Sequence, residues 1–315
     1  MYNNINSDIL LLGYNLGKIL GVTLMKLGAI EAGGTKMVCA IGNENGEITD
    51  RKVFPTTIPD DTLPKLKAYF AKHDVEALGI GSFGPVELNR ESENYGRIMN
   101  SPKKAWCGCE IAGFFEKGLR IPVMLETDVN MACIGEAEWG NTKDVDSSLY
   151  VTIGTGIGVG VMVDGRIIHG MSHPEAGHIF LRLKPNDIYL GRCPYHGNQC
   201  FEGLASGPAI EERCNGRIGL QIPNDDKVWK TEAFYIGQAL SSYIMMYSPQ
   251  RIVLGGGVMY RNFLFSMIRK EVKKNLNGYI STRELEDLDS YIVPSGLNGN
   301  QAIMGALKVA AEGLN

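Results

Sequence analysis

Apolar positions along the chain fall into two similar runs about 120 residues apart. In the first, Lys26–Glu31 reads as a short strand, Ala32-Gly33-Gly34-Thr35 interrupts it, and Met37–Ile41 is a second strand. Asn45-Gly46 follows, then a third strand from Ile48. In the second, Ser148–Ile153 is followed by Gly154-Thr155-Gly156, Val159–Val163, Asp164-Gly165 and Arg166–His169. Asn-Gly and Asp-Gly tolerate positive φ, so both dipeptides predict tight type I′ hairpin turns. Each run therefore reads as strand, glycine loop, strand, tight turn, strand. Two related α/β domains facing each other across a cleft are expected.

Apolar residues spaced three and four apart predict helices over Thr62–His73 (behind a capping Asp61), Thr231–Tyr247, Tyr260–Asn277 and Gln301–Ala311. A further helix, Asp128–Trp139, follows the strand Val123–Glu126, and the strand Arg251–Leu254 ends in Gly255-Gly256-Gly257. Polar residues at Asn141–Asp146 suggest a hinge. The expected domains are residues 25–143 with about 300–315, and residues 144–299. Residues 1–24 carry broken apolar patches without the basic leader or cleavage site of a secretory signal. We read Met25 as the natural start and residues 1–24 as an extension outside the fold.

Composition narrows the function. Hydrophobic residues make up 44% and charged residues 21%, an ordinary globular balance. Net charge is −4, with no basic stripe interleaved with aromatics, which disfavours nucleic acid as a partner. No run of eighteen apolar residues offers a membrane span. Seven scattered cysteines, an odd number, suit a reducing cytoplasm better than a disulfide framework.

Neither glycine loop fits a Walker A or dinucleotide fingerprint. Both present backbone N–H groups unshielded by side chains beside a Thr hydroxyl, an anion-binding concavity. Gly33, Gly34, Thr35 and Lys36, paired with Gly154, Thr155 and Gly156, are therefore phosphate-site candidates. Gly255, Gly256 and Gly257 would let a flat adenine ring approach the backbone. Glu31, at the end of the first strand, either holds Mg²⁺ through water beside those phosphates or caps local amides. Cys193, His196 and Cys200 lie within eight residues, with His178 upstream. Four such ligands make a closed, structural zinc site. Cys107 and Cys109 form a possible second pair without a nearby His, and Cys39, Cys133 and Cys214 sit in core patterns. Asp128 is either a helix N-cap or a ligand-binding acid at a strand end. Asn130, Glu175, His178 and Glu202 offer the directional donors and acceptors that a sugar needs.

These residues resemble the ROK family (repressors, open reading frames and sugar kinases), from Met25 over nearly the whole chain. Glu31-Ala-Gly-Gly-Thr-Lys36 and Ile153-Gly-Thr-Gly-Ile-Gly158 resemble its phosphate motifs, and Leu254-Gly-Gly-Gly257 its adenosine motif. Glu126-Thr-Asp128-Val-Asn130 is similar to its catalytic segment, whose Asp deprotonates the sugar hydroxyl. Glu175-Ala-Gly-His178 and Cys200-Phe-Glu202 resemble its sugar and zinc segments. Ser82-Phe-Gly-Pro-Val-Glu-Leu-Asn-Arg-Glu-Ser92, His173-Pro-Glu-Ala-Gly-His178, Cys193-Pro-Tyr-His196, Asn100-Ser-Pro102 and Trp106 are closer to its fructokinase branch. The resemblance implies a duplicated actin-like (ribonuclease-H-like) ATPase fold with a central cleft and a homodimer. It implies Mg²⁺-ATP and a hexose as substrates: fructose, or else glucose, mannose or N-acetylmannosamine. A repressor of the family would need a helix-turn-helix domain, for which residues 1–24 are too few. An actin-like chaperone would have no use for the sugar and zinc cluster.

Overall fold

A computed structural model describes residues 24–314, so the expected extension lies outside the described residues apart from the exposed Leu24. β1 (Leu27–Ala32), β2 (Lys36–Gly42) and β3 (Ile48–Pro55) form an antiparallel meander. β4 (Ala77–Ser82) and β5 (Val123–Thr127) extend it in parallel, giving the order β3-β2-β1-β4-β5. β6 (Ser148–Ile153), β7 (Ile157–Val163), β8 (Arg166–Ile167), β9 (Arg251–Gly255) and β10 (Ile292–Pro294) build a second sheet in the order β8-β7-β6-β9-β10. Its strand directions match the first sheet pair for pair. This is the duplicated α/β arrangement expected from the two apolar runs.

The two hairpin turns differ. Asp164 and Gly165 both have positive φ (50° and 71°), as a type I′ turn requires. At Asn45-Gly46 only Gly46 does, at 76°. Asn43 Oδ1 accepts from Asn45 N at 3.0 Å, which holds Asn45 at an ordinary φ and shifts the register at Ile41/Gly42. The expected type I′ turn is thus replaced there by a longer Asx-braced loop.

Among the described residues the α-helices of five or more residues are α1 (Pro59–Ala71), α2 (Ile111–Leu119), α3 (Asp128–Trp139), α4 (Phe201–Ala205), α5 (Gly207–Arg213), α6 (Val228–Tyr247), α7 (Phe263–Leu276) and α8 (Gln301–Glu312). α1 opens at Pro59 rather than behind Asp61, because proline in the first turn has no N–H to leave unsatisfied. α7 begins after Tyr260, since Gly257–Tyr260 first takes a 3₁₀ turn.

α3 and α8 pack together between the sheets through Val129, Met131, Ala132, Ile303, Ala306 and Leu307. A side chain at Gly135 or Gly305 would strike the other helix's backbone, at the Gln301 and Met131 carbonyls. α8 closes the second repeat yet lies on the first sheet, where Gly79 abuts the Ala306 carbonyl. α3 closes the first repeat yet lies on β7, where a Cβ at Gly160 would stand 2.6 Å from the Val129 carbonyl oxygen. Each repeat is thus capped by the other's helix, and Asp128, at the start of α3, sits at the junction of the two.

Candidate active site

β5 delivers the chain to α3 with Thr127 as N-cap, its Oγ1 accepting from Asn130 N at 3.1 Å. Capping therefore falls to Thr127, and the Asp128 carboxyl is not required as the helix cap. Its Oδ1 accepts from Val129 N at 2.8 Å. Burial, then the negative charge of Glu31, push the Asp128 carboxyl up to about 7; the Val129 amide opposes this and Glu175 adds to it. Burial also raises Glu31, against the pull of Lys36 and Arg51. Glu175 is pushed up to about 7 by desolvation and then by Glu202. Glu31, Asp128, Glu175 and Glu202 thus form a chain of mutually repelling carboxylates, an arrangement that cations and hydroxyl donors complete.

The glycine loops flank this chain. In the first, Gly33 N donates to the Lys36 carbonyl at 3.0 Å, and Thr56 braces it from behind through Thr35 O and Gly33 O at 3.0 and 2.7 Å. In the second, Gly154 N donates to Gly156 O at 2.9 Å, and Glu202 Oε2 accepts from Ile157 N at 2.9 Å. A Cβ at Gly156 would stand 2.7 Å from that same oxygen, so Glu202 lies directly against the loop. Gly154 adjoins Gly257, and Gly256 takes φ 86° beneath the Ile153 carbonyl, a place only glycine fills without strain. The second glycine loop and the Gly255–Gly257 turn therefore form one continuous surface.

His178, Cys193, His196 and Cys200 converge, each offering a ligand atom within 4.8 Å of the others. Cys193 Sγ lies 3.4 Å from His196 Nδ1 and 3.7 Å from His178 Nδ1, and Cys200 Sγ lies 3.7 Å from His178 Nδ1. Bonds of 2.0–2.3 Å to a tetrahedral zinc set ligand–ligand edges at about 3.5 Å, so the donor set fits. Among the described residues this is the one such group, and Cys107 and Cys109 take no part in it. Cys39, Cys133 and Cys214 are buried as expected. His178 turns Nδ1 toward the cysteines and Nε2 toward Glu202 Oε1, 3.9 Å away. Its two expected roles, metal and sugar, fall on different ring nitrogens.

Asn130 departs from expectation. It is 1% exposed and donates its amide to Glu126 Oε1 at 2.9 Å, so it braces Glu126 instead of facing a substrate. Glu126 also accepts from Thr127 N at 2.8 Å and meets His169 Nε2 at 2.7 Å. The motif around Asp128 contains Glu126, but nothing in the sequence pattern pairs it with a histidine 43 positions on.

The ROK family profile matches residues 27–312. The chain belongs to the ROK family. This ROK chain is 46% identical over 290 residues to a fructokinase of Pediococcus pentosaceus, covering 92% of this chain and 99% of that one. It is 41% identical over 291 residues to a fructokinase of Streptococcus mutans, covering 90% and 97%. A ROK hexokinase of Thermus thermophilus superposes with a TM-score of 0.73 at 26% identity, covering 92% of this chain and 99% of that one.

Proposed function

We propose that the protein is an ATP-dependent fructokinase in which Asp128 takes the proton from the fructose 6-hydroxyl. The observation that carries this reading is the Asp128 carboxyl itself: relieved of capping by Thr127, raised to about 7, and flanked by two glycine loops and Glu175. Identities of 46% and 41% to two fructokinases support the choice of sugar.

ATP phosphates lie against Gly33, Gly34, Thr35 and Lys36 on one side and Gly154, Thr155 and Gly156 on the other, with adenine at Gly255–Gly257. Glu175, Glu202 and His178 Nε2 hold the sugar. The O6–phosphorus bond forms as the bond to ADP breaks, and the hydroxyl proton passes to Asp128. A free Asp titrates at about 3.9, so a carboxylate held near neutrality is the stronger base, worth roughly 10²–10⁴-fold. Loose phosphoryl transfer leaves most of the remaining catalysis to positioning. Mg²⁺, with Glu31 and water as its ligands, would neutralise phosphate charge between the carboxylates. Zinc at His178, Cys193, His196 and Cys200 would fix His178 and Glu202 relative to one another. Two lobes, residues 25–143 with 300–315 and residues 144–299, close about Asn141–Asp146. The enzyme works in the cytoplasm as a homodimer.

ADP release measured with fructose, glucose, mannose and N-acetylmannosamine tests the reading. Fructose should give the highest kcat/KM. Preference for another hexose would overturn the choice of sugar, and sugar-independent ADP release would overturn the kinase itself.

A further inference from the structure

Glu175 reaches the site on a segment that the second sheet releases early. β8 ends at Ile167, and two histidines fasten residues 168–175 to the first half of the molecule. His169 Nε2 meets Glu126 Oε2 at 2.7 Å, and Glu126, itself 7% exposed, is held by Thr127 N and Asn130. His173, 6% exposed, accepts on Nε2 from the Val86 backbone N–H at 3.2 Å. A backbone N–H only donates, so Nε2 carries the lone pair and a neutral ring keeps its proton on Nδ1. Burial holds this ring below the ordinary histidine range, which favours that neutral form. Nδ1 lies 3.5 Å from Glu175 Oε1. Gly84 completes the contact: a Cβ there would stand 3.2 Å from His173 Cε1 and 3.3 Å from Glu175 Oε1. The carboxylate of Glu175 therefore rests on first-half backbone, with a buried imidazole oriented by that same backbone beside it.

We propose that His173 is a positioning residue for Glu175, fixing this carboxylate to the half of the molecule that carries Asp128. The inference rests on Glu175 being a sugar ligand. Its consequence is mechanical. Asp128 and Glu175 are then held by one framework, so their spacing sets how the sugar hydroxyl meets its base. Displacing a catalytic or binding group by about 1 Å can cost 10²-fold, which is the scale at which such a brace matters.

The test uses the full chain and the hexose that the wild type phosphorylates best, so a wrong sugar and a wrong role for His173 are told apart. Its first readout needs no activity. Long-range ¹⁵N–¹H correlation on histidine-labelled wild type should show His173 as the Nδ1–H tautomer; the Nε2–H tautomer would overturn the proposal. The second is hexose binding by calorimetry in His173→Leu, His173→Asn, Glu175→Gln and the His173→Asn/Glu175→Gln double variant. His173→Leu should weaken binding ~10–100-fold, by the same positional argument. His173→Asn, which keeps a polar group beside Glu175, should weaken it less, with affinity for a non-hydrolysable ATP analogue unchanged in both. In the Glu175→Gln background the loss due to His173→Asn should vanish. An undiminished loss there would mean that His173 does not act through Glu175.

Discussion

The two repeats share strand order and directions, and two of their differences bear on the site. β3 runs eight residues, Ile48–Pro55, whereas β8 runs two, Arg166–Ile167. The short strand frees the segment around His169 and His173 to reach the first half, after which the chain returns to the second core at Ala176 and forms the Cys/His cluster. The second difference lies at the last strand. β5 passes straight into α3, with Asp128 as its first residue and Thr127 as its cap. β10 and α8 are separated by residues 295–300, and α8 has no side-chain cap. What the repeats have in common is a glycine loop at the same turn, which the proposed reading gives to the nucleotide. Where they diverge, the first places Asp128 at the start of a helix and the second releases the segment that carries Glu175 and the Cys/His cluster. The proposed reading gives the first of these to the base and the second to the sugar.

The comparison breaks most severely at the released segment. Replacing Cys193 and Cys200 together by Ser should remove the metal and cut fructose turnover on the order of 100-fold, because the braced His178 and Glu202 lose their relative placement. Binding of an ATP analogue should survive, since neither glycine loop uses those thiols. Metal content by mass spectrometry alongside steady-state kinetics checks this, and full turnover without metal would detach zinc from the sugar site.

A smaller effect concerns pH. The Asp128 carboxyl, raised to about 7, is protonated below neutrality and cannot then accept the hydroxyl proton. kcat/KM for fructose should rise as pH climbs through about 7 and level off above it. A profile flat from pH 5.5 to 8.5 would contradict a base of that pKa.

The smallest effect is on stability. A carboxyl titrating at about 7 when folded and about 3.9 when unfolded binds its proton more tightly in the native state. Its stabilising contribution is complete below about pH 4 and is lost as pH rises through about 7. Asp128→Asn, which does not titrate, should therefore gain in Tm relative to wild type at pH 8 compared with pH 5. A constant difference between the two pH values would remove the burial argument.

Much of this was legible in the sequence, and the rest hid for identifiable reasons. The glycine loops and the Cys/His cluster were readable because their residues are close in the chain and their types are few. β4 escaped because Ala77–Ser82 includes two glycines; Gly79 is there to admit the backbone of α8, and glycine weakens a strand pattern. α2 escaped for a similar reason, with Gly113 and Gly118 interrupting its apolar face. Asn130 was misjudged because residue type alone does not distinguish an amide turned to a substrate from one buried against Glu126. The ties from His169 to Glu126 and from His173 to Val86 span 43 and 87 positions, and only the tertiary fold brings them together.

The most direct test of Asp128 as the base is to measure kcat and the fructose dissociation constant on one preparation of Asp128→Asn. The amide keeps the shape and loses the basic oxygen. kcat should fall by ~10²–10⁴-fold while fructose binds within a few-fold of wild type. Near-wild-type kcat, or a loss that lies wholly in fructose binding, would contradict Asp128 as the base.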